Sequence, residues 1–376
     1  MTAKAVTIGP LAAAYKNKRV LVTGHSGFKG GWLATWLKMM GSRVTGVGLP
    51  PEPATPSFFE SAKVAEGMTS LTGDIRDFDS VRRIFAEHKP EIVFHNAAQA
   101  LVRRSYRDPI ETYSTNVMGT VHLLEAARQT ASVQAIVIVT SDKCYENREW
   151  TWGYRENDPM GGFDPYSSSK GCAELVTAAY RRSFFPAHDK NGKGALIASA
   201  RAGNVIGGGD WSEDRLIPDL VRGIMGGKKI VIRNPHALRP WQHVLDPLYG
   251  YLLLGRRLNN RESEFAEPWN FGPREASVPV SDLAERCLRL WSKHRGKAQL
   301  QFAAGKSKLH EAHHLKLDCS KAQARLGWEA RLGVDEMIQW TVDWYRNVIR
   351  DPRCAQQLTC RQITQYTERV SNSTPL

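Results

Sequence analysis

The stretch RVLVTGHSGFKGG, residues 19–31, decides the fold. Its first five residues are an apolar run of the kind that forms a buried strand, and glycines follow at positions 24, 27 and 30. Glycine tolerates positive φ and, because it has no Cβ, lets a diphosphate approach the backbone. A helix after this turn would direct its free N–H groups at the anion. The stretch therefore predicts the dinucleotide-binding turn of a first β-α unit.

Apolar segments alternate with helical patterns from this turn to about residue 200. Strands are predicted at 43–49, 91–95 and 135–139, and helices at 32–40 and near 112–130. Nearly continuous apolar strands separated by helices are typical of a parallel sheet that is covered on both faces. The right-handed crossover rule then predicts an α/β fold with a doubly wound, Rossmann-type sheet.

The pattern becomes irregular after about residue 205, where glycine-rich and basic segments replace the strict alternation. This change predicts a smaller, irregular C-terminal lobe that binds substrate. The expected division of the chain is a loosely ordered leader at 1–17, a dinucleotide-binding domain at 18–205, a mainly substrate-binding lobe at 206–350 that returns to the first domain near 240–260, and a tail at 351–376.

The charge, the apolar runs and the cysteines of the chain limit which partners and which location are expected. The net charge of +13 suggests an anionic partner, but Lys and Arg are spread along the chain, which favours a small phosphorylated substrate over nucleic acid. No apolar run approaches the ~18 residues that a membrane span needs. The six cysteines form no CxxC pair and the N-terminus has no convincing signal peptide, so we expect a cytoplasmic protein.

A second pair of motifs carries chemistry. The strand predicted at 135–139 ends in Thr-Ser, and DPYSSSKG follows at 164–171. Tyr166 and Lys170 stand four residues apart, so on a helix they share one face. We expect the ammonium group of Lys170 to lower the pKa of the Tyr166 phenol, which could then take a proton from a hydroxyl group. Ser141 would complete the set.

Asp142 and Lys143 follow Ser141 directly. In an extended segment their side chains would point to opposite faces, so a mutual ion pair is not expected. Removal of a proton from a hydroxyl group needs only the Ser, Tyr and Lys groups. The additional acid at Asp142 therefore suggests further chemistry on the same substrate.

Several motifs together resemble the extended branch of the short-chain dehydrogenase/reductase superfamily. They are the GxxGxxG spacing, GDIRD at 73–77, HNAAQ at 95–99 and the Ser141, Tyr166 and Lys170 set. Asp-Lys-Cys-Tyr at 142–145, WGYREN at 152–157 and NVIGGGDW at 204–211 narrow the resemblance to nucleotide-sugar 4,6-dehydratases that act on CDP-glucose. The resemblance runs from about residue 18 to residue 350.

The resemblance implies an NAD-dependent hydro-lyase of 6-deoxysugar metabolism, as in O-antigen or lipopolysaccharide biosynthesis. C4 of the sugar would be oxidised, water lost across C5–C6 and the hydride returned to C6. Most members have Glu after the Asp, whereas this chain has Lys143, so the C5 base is either a neutral Lys143 or Tyr166. Another nucleotide-sugar 4,6-dehydratase, a 4-epimerase, and a non-catalytic dinucleotide-binding regulator remain alternatives. The implied catalytic residues are Ser141, Asp142, Lys143, Tyr166 and Lys170.

The expected cofactor is NAD. The acid that usually ends the second strand is missing, because Leu49-Pro50-Pro51 occupies its place and Glu52 is the nearest carboxylate. No Arg follows that strand to hold a 2′-phosphate, which favours NAD over NADP. The candidate cofactor-binding residues are Gly24, Gly27, Phe28, Lys29, Gly30, Asp74, Ile75, Ala97, Ala98, Gln99, Tyr166 and Lys170.

The resemblance also implies a set of substrate contacts, in which planar Arg forks would suit a sugar diphosphate. Residues 310–314 formally match the zinc motif HExxH, but strand-like alternation follows, and we expect no metal there. Helices near 112–130 and 166–183 are apolar enough to pair across a two-fold axis, which predicts a homodimer or homotetramer. The candidate substrate-binding residues are Asn204, Arg215, Arg239, Asn270 and His310.

Overall fold

The computed structural model describes residues 9–52, 56–186, 194–227, 229–292, 299–302 and 314–372. Within these residues the strands are β1 (Arg19–Thr23), β2 (Arg43–Gly48), β3 (Thr69–Thr72), β4 (Ile92–His95), β5 (Ala135–Val139), β6 (Leu196–Arg201), β7 (Val205–Ile206), β8 (Ile230–Ile232), β9 (Leu238–Arg239), β10 (Gln242–His243), β11 (Pro268–Asn270), β12 (Val278–Pro279) and β13 (Leu300–Phe302).

The α-helices surround the central sheet and build the second lobe. They are α1 (Pro10–Tyr15), α2 (Phe28–Met39), α3 (Phe58–Ser61), α4 (Phe78–His88), α5 (Val102–Arg107), α6 (Pro109–Tyr113), α7 (Gly119–Arg128), α8 (Pro165–Ser183), α9 (Leu216–Met225), α10 (Leu245–Asn259), α11 (Val280–Ser292), α12 (Val334–Arg350) and α13 (Ala355–Asn372). Short π-helical turns occupy Ser114–Met118 and Ala322–Leu326.

The central sheet has seven strands in the order β11-β6-β5-β4-β1-β2-β3. Every pairing in it is parallel. The strand order reverses at β1, as in a doubly wound fold, and ligands of such sheets bind at the carboxyl ends of the strands near that point. The predicted fold class is confirmed.

Burial explains which strands the sequence could predict. Every residue of β4, β5 and β6 is buried. β5 and most of β4 therefore read as continuous apolar runs, whereas the sequence of β6, LIASAR, is interrupted by Ser199 and Arg201. In contrast, β3 lies at the sheet edge with the polar sequence TSLT and mostly exposed residues. Because this strand has neither an apolar run nor an alternating pattern, the sequence did not predict it.

Both ends of the described chain are packed. Residues Pro10–Tyr15, which we expected within a loosely ordered leader, form α1, and the buried Tyr15 hydroxyl donates to the Leu252 carbonyl of α10 (2.6 Å). The expected tail contains α13, whose Tyr366 is fully buried and donates to Asp246 (2.7 Å). The domain boundaries as a whole stay a prediction.

The register of the sheet places the candidate catalytic segments side by side. Val139 of β5 is opposite Ala200 of β6, and the Thr140 amide donates to the Ala200 carbonyl (2.9 Å). The two strands therefore end together, and the segments that follow them meet at one edge of the sheet. The second lobe contributes pairs of short strands, β7 with β10, β8 with β13 and β9 with β12.

Among the residues that the structure describes, no helix combines the length and the apolar character that a membrane crossing requires.

Candidate active site

The glycine turn between β1 and α2 is built so that a side chain would not fit. Gly24 has a φ of +74°, and a Cβ there would lie 2.8 Å from the Ala97 Cα atom. A Cβ at Gly30 would overlap the Gly24 carbonyl. These close approaches require glycine at both positions, because bulkier residues would open the turn.

The start of α2 is a positively polarised site. Gly27 is its N-cap residue, and among the described residues no side chain caps the helix. The first N–H groups of a helix have no partner within the helix and attract anions. This uncapped turn fits the diphosphate of a dinucleotide, so the residues present suit the expected cofactor.

Lys29, in the first turn of α2, adds a cation. Its side chain lies 3.5 Å from the Tyr251 hydroxyl. Burial, together with repulsion from Arg215 and Lys170, lowers the pKa of Lys29 to about 7, although the charge of Asp142 opposes this shift. Lys29 is therefore close to the candidate catalytic residues as well as to the glycine turn.

A tight turn after β5 presents Ser141 and Asp142. Residues Asp142–Cys144 form a 3-10 turn, for which Ser141 is the N-cap and accepts from the Lys143 amide (3.2 Å). The Ser141 hydroxyl donates to Asp142 Oδ1 (2.9 Å), and Asn204 Nδ2 donates to Asp142 Oδ2 (3.3 Å). The expectation of an extended segment at Asp142 and Lys143 was therefore wrong, because the Ser141 cap starts a turn there.

Tyr166 and Lys170 lie on the first turns of α8. The helix begins after Asp164, which accepts from the Ser167 amide (2.9 Å), and Pro165 occupies its first position. Both side chains are buried, and Lys170 Nζ lies 3.4 Å from the Val139 carbonyl at the end of β5. The structure thus brings the YxxxK pair to the strand end that carries Ser141.

The expected lowering of the Tyr166 pKa was wrong for this structure. Burial raises the pKa of Tyr166 to about 12, an effect that the hydrogen bond with Ser141 and the charge of Arg215 oppose. Burial also lowers the pKa of Lys170 to about 8. Desolvation is the largest influence on both groups, and it disfavours both the phenolate and the ammonium ion.

Two of the candidate substrate contacts lie near these groups. Asn204 has a φ of +51° and bonds Asp142 as described above. Arg215 pairs with Asp210 (2.9 Å), and its charge affects the pKa of Tyr166. Arg239 lies on β9, where its guanidinium donates to the Leu238 carbonyl (3.1 Å). His310 lies outside the described residues.

Asn270 is not available for substrate. It is fully buried on β11, its amide donates to the carbonyls of Tyr154 (2.8 Å) and Asp318 (3.1 Å), and its oxygen accepts from Tyr145 (2.7 Å). The expected substrate contact was therefore wrong for this structure. An Asn has two N–H donors, and both are used, so Asn270 ties β11 to two loops.

Gln99 has a similar structural role. Its amide donates to Thr112 (2.9 Å) and to the Leu101 carbonyl (3.1 Å), and its oxygen accepts from the Leu101 amide (2.6 Å). These bonds fix the segment after β4, so its side chain supports the expected cofactor site from behind instead of facing it.

The remaining candidate cofactor residues line the sheet edge. Asp74 pairs with Arg76 (2.8 Å), and Ile75 is buried. The Ala97 amide donates to Thr23 (3.0 Å), and Ala98 is half-buried. The two alanines thus lie just after β4, and Ala97 is next to the glycine turn. Their small side chains leave space for a ligand there.

Sequence reasoning missed three residues of this site. Tyr251 of α10 is fully buried, and its pKa is raised by burial and by the charges of Tyr166 and Asp142. Gly203 lies against the Asp142 carboxylate, and Glu174 accepts from Thr140 (2.5 Å). Tyr251 had the pattern of a core helix. The signal for Glu174 was its spacing, four residues after Lys170.

No group of three or more His, Cys, Asp or Glu side chains in the described part of the chain could hold a metal ion. His310 and Glu311 of the HExxH match lie outside it, whereas His314, the second histidine of the match, lies within it.

The fold and the set of Ser141, Tyr166 and Lys170 define an enzyme of the extended short-chain dehydrogenase/reductase class. A family model described as GDP-mannose 4,6 dehydratase matches residues 21–341, and the chain belongs to that family. The resemblance to nucleotide-sugar 4,6-dehydratases is confirmed.

A curated relative and two solved structures extend this comparison. The chain is 53% identical to the CDP-glucose 4,6-dehydratase of Salmonella typhimurium over 94% of this chain and 97% of the relative. The epimerase Mth375 of Methanothermobacter thermautotrophicus has a TM-score of 0.77 at 24% identity, with 91% of this chain and 96% of that one covered, and shows the fold alone. The UDP-glucose 4-epimerase of Thermus thermophilus, solved with NAD, has a TM-score of 0.73 at 25% identity over 87% and 99%.

Proposed function

We propose that this protein converts CDP-glucose to CDP-4-dehydro-6-deoxyglucose. The observation that carries the proposal is the placement of Asp142 beside the Ser141, Tyr166 and Lys170 set at one edge of the sheet. The 53% identity to a CDP-glucose 4,6-dehydratase over nearly the whole of both chains supports the choice of substrate. A 4-epimerase has no leaving group to protonate, so Asp142 favours the dehydratase.

Three residues act on the C4 hydroxyl of the sugar. Tyr166, hydrogen-bonded with Ser141, takes the hydroxyl proton. Lys170, four residues later on α8, would support the resulting phenolate with its charge. Because burial opposes ionisation of Tyr166, the proton transfer depends on positive charge nearby. Arg215 contributes to that charge.

Asp142 acts as the general acid for the C6 hydroxyl group, which leaves as water. Its carboxyl group supplies a proton to that oxygen, and the hydrogen bonds with Ser141 and Asn204 fix its orientation. A base must remove the C5 proton in the same phase of the reaction. Lys143 and Tyr166 are both candidates for this base. Lys143 lies in the same 3-10 turn as Asp142, and Tyr166 lies beside Ser141.

The cofactor of the proposed reaction is NAD. It supplies a hydride acceptor and donor when bound, and a solved structure with this fold was determined with it. The uncapped start of α2 and the side chain of Lys29 would hold its diphosphate.

An apolar surface on α6, the following π turn and α8 supports the proposed homo-oligomer. Ile110 and Leu175 are 81% and 60% exposed. Contiguous exposed apolar surface commonly marks a contact with another protein chain. A second copy related by a two-fold axis would cover it. An apolar hollow within this surface is lined by Pro109, Ile110, Tyr113, Ser114, Val117, Met118 and Cys172.

The cytoplasm is the proposed location. All six cysteines are free, as a reducing compartment requires. The product would be a precursor of 6-deoxysugars such as those of O-antigen or lipopolysaccharide.

The reaction can be tested with purified protein, NAD and the CDP, dTDP, UDP and GDP forms of glucose. We expect CDP-glucose to give a keto sugar that has lost one water by mass, and the other nucleotides to react more slowly. Asp142→Asn is the matched variant, because it keeps the shape of the side chain and removes the proton donor. Its expected result is loss of dehydration by at least about a hundredfold. Dehydration of another nucleotide sugar in preference would refute the assignment.

A further inference from the structure

A buried ion pair lies directly behind the candidate catalytic residues. Arg201 Nη2 and Glu174 Oε2 are 2.8 Å apart, and both side chains are only 4% exposed. Replacing such a pair with apolar residues often leaves stability unchanged or raises it, because desolvation of the two charges offsets their attraction. Stability alone therefore does not explain why this pair is present.

Glu174 joins α8 to the ends of two strands. Its Oε1 accepts from the Thr140 hydroxyl (2.5 Å), and its Oε2 accepts from the Ser199 hydroxyl (2.8 Å) as well as from Arg201. Thr140 immediately precedes Ser141. One carboxylate thus fixes the helix of Tyr166 against the strand end that delivers the catalytic serine.

Arg201 extends the connection to the loop after the Asp142 turn. Its Nη1 donates to the Tyr145 hydroxyl (2.6 Å) and to the Glu156 carbonyl (3.0 Å). Tyr145 follows the 3-10 turn directly and donates in turn to Asn270 (2.7 Å). The turn is therefore anchored on both sides, at Thr140 by Glu174 and at Tyr145 by Arg201.

Glu174 is also the main negative group that acts on Lys170. The two residues are four positions apart on α8 and share one face. Other groups around Lys170 are the Cys144 thiol of the turn, which acts in the same direction, and His95 of β4 and Lys29 of α2, whose charges interact with it unfavourably. Glu174 therefore opposes the effects of burial and of the neighbouring lysine.

We propose that Glu174 is a positioning residue for the reaction proposed above. Its carboxylate holds the Thr140–Ser141 strand end against α8, and its charge keeps Lys170 cationic beside Tyr166. Arg201 neutralises the charge of this carboxylate and, through its hydrogen bond to Tyr145, holds the C-terminal end of the Asp142 turn. The inference rests on the proposed dehydratase function, and it assigns Glu174 no contact with substrate.

Two variants separate the two roles of Glu174. Glu174→Gln keeps the size of the side chain and removes its charge, so Lys170 should lose its proton at lower pH. We expect the alkaline fall of kcat/KM to begin about one pH unit earlier than in the wild type. Thr140→Val removes the hydroxyl but leaves the charge. It should lower kcat about tenfold without moving the alkaline fall.

Two further variants distinguish a loss of function from a loss of folding. Glu174→Gln leaves Arg201 buried without a countercharge, which is strongly destabilising. The double variant E174Q/R201M removes both charges and should fold, with the same early alkaline fall. Glu174→Asp retains the charge and should keep the wild-type alkaline fall, even if its shorter side chain lowers kcat.

A titration of Lys170 provides a readout that needs no turnover. The ¹³C-labelled lysine side chains would be followed by NMR across pH, with Lys170→Met to assign the signal. We expect the Lys170 transition to move to lower pH in Glu174→Gln. An unchanged Lys170 transition in a folded variant would overturn the inference even if the wild type is active. A wild type that dehydrates no nucleotide sugar would instead refute the proposed function.

Discussion

Gly203 lies directly against the carboxylate of Asp142, so that a Cβ atom at position 203 would overlap all three atoms of the carboxylate group. The backbone after β6 therefore forms one wall of the Asp142 site. Asn204, the next residue, adds a hydrogen bond to the same carboxylate (3.3 Å). The position of the proposed acid thus depends on a residue that has no side chain.

Gly203→Ala is expected to displace Asp142 and to lower dehydration at least about a hundredfold, because a shift of about 1 Å in a catalytic group can cost that much. Oxidation at C4 should fall less, since the three atoms nearest the added methyl group all belong to Asp142. Single-turnover measurements of both steps would check this. Gly9→Ala is the matched control, because among the described residues a Cβ there meets only Ser371, at 3.5 Å. Equal losses in both steps would contradict the account.

Lys29→Met is expected to raise stability and to weaken cofactor binding. Folding lowers the pKa of Lys29 from 10.5 to about 7. Between these values the unfolded chain binds more protons than the folded chain, so wild-type stability rises with pH across this window. The gain in Tm from Lys29→Met should therefore be largest at pH 7 and below and should shrink towards pH 10.

Thermal unfolding across pH and NAD titration would test this pair of effects. NAD affinity should fall about tenfold or more, because the variant loses a cation at the expected diphosphate site. The exposed Lys16→Met serves as the control for removal of a positive charge. A variant that is no more stable and binds NAD as tightly as the wild type would show that Lys29 does not hold the cofactor.

The alkaline side of the pH profile should report Lys170. Burial lowers the pKa of Lys170 to about 8, and the cation is the form that supports the Tyr166 phenolate, so kcat/KM should fall above about pH 8. Lys170→Arg keeps a positive charge that does not titrate in this range. Its activity should be lower throughout, with no fall between pH 8 and 10. An unchanged alkaline fall in this variant would assign it to another group.

The oligomer should dissociate when charge is placed on the apolar surface of α6 and α8. Ile110→Glu and Leu175→Glu would bury carboxylates in the proposed contact, which is costly without a partner. Light scattering after size exclusion should show a smaller particle than the wild type. Val231→Glu, at a residue of β8 that is 54% exposed, is the matched control. A wild-type monomer would refute the proposed contact.

The parallel sheet could be predicted from the sequence because its central strands are buried on both faces. The runs at 19–23 and 135–139 became strands with those bounds. The glycine turn and the YxxxK pair could be recognised because their chemistry depends on residue type and short spacing. The edge strand Thr69–Thr72 could not be predicted, since its mostly polar and exposed residues form neither an apolar run nor an alternating pattern.

The errors in the site arose from interactions between segments that are distant in sequence. Asn270 looked like a ligand contact, but tertiary packing uses all of its amide hydrogens. The pKa of Tyr166 depends on how deeply α8 is buried against the sheet, which spacing does not reveal. Tyr251, Gly203 and Glu174 reach the site through the packing of α8, α10 and β6. The four-residue spacing of Glu174 after Lys170 was the one local signal for these three residues.

The central claim is that one hydride leaves C4 of CDP-glucose and returns to C6 of the same sugar while Asp142 expels water. NMR of the product formed from CDP-glucose deuterated at C4 tests it most directly. The account predicts deuterium at C6 of a 4-keto-6-deoxy sugar. Deuterium that stays at C4, or that returns to C4 with inverted configuration, would contradict it.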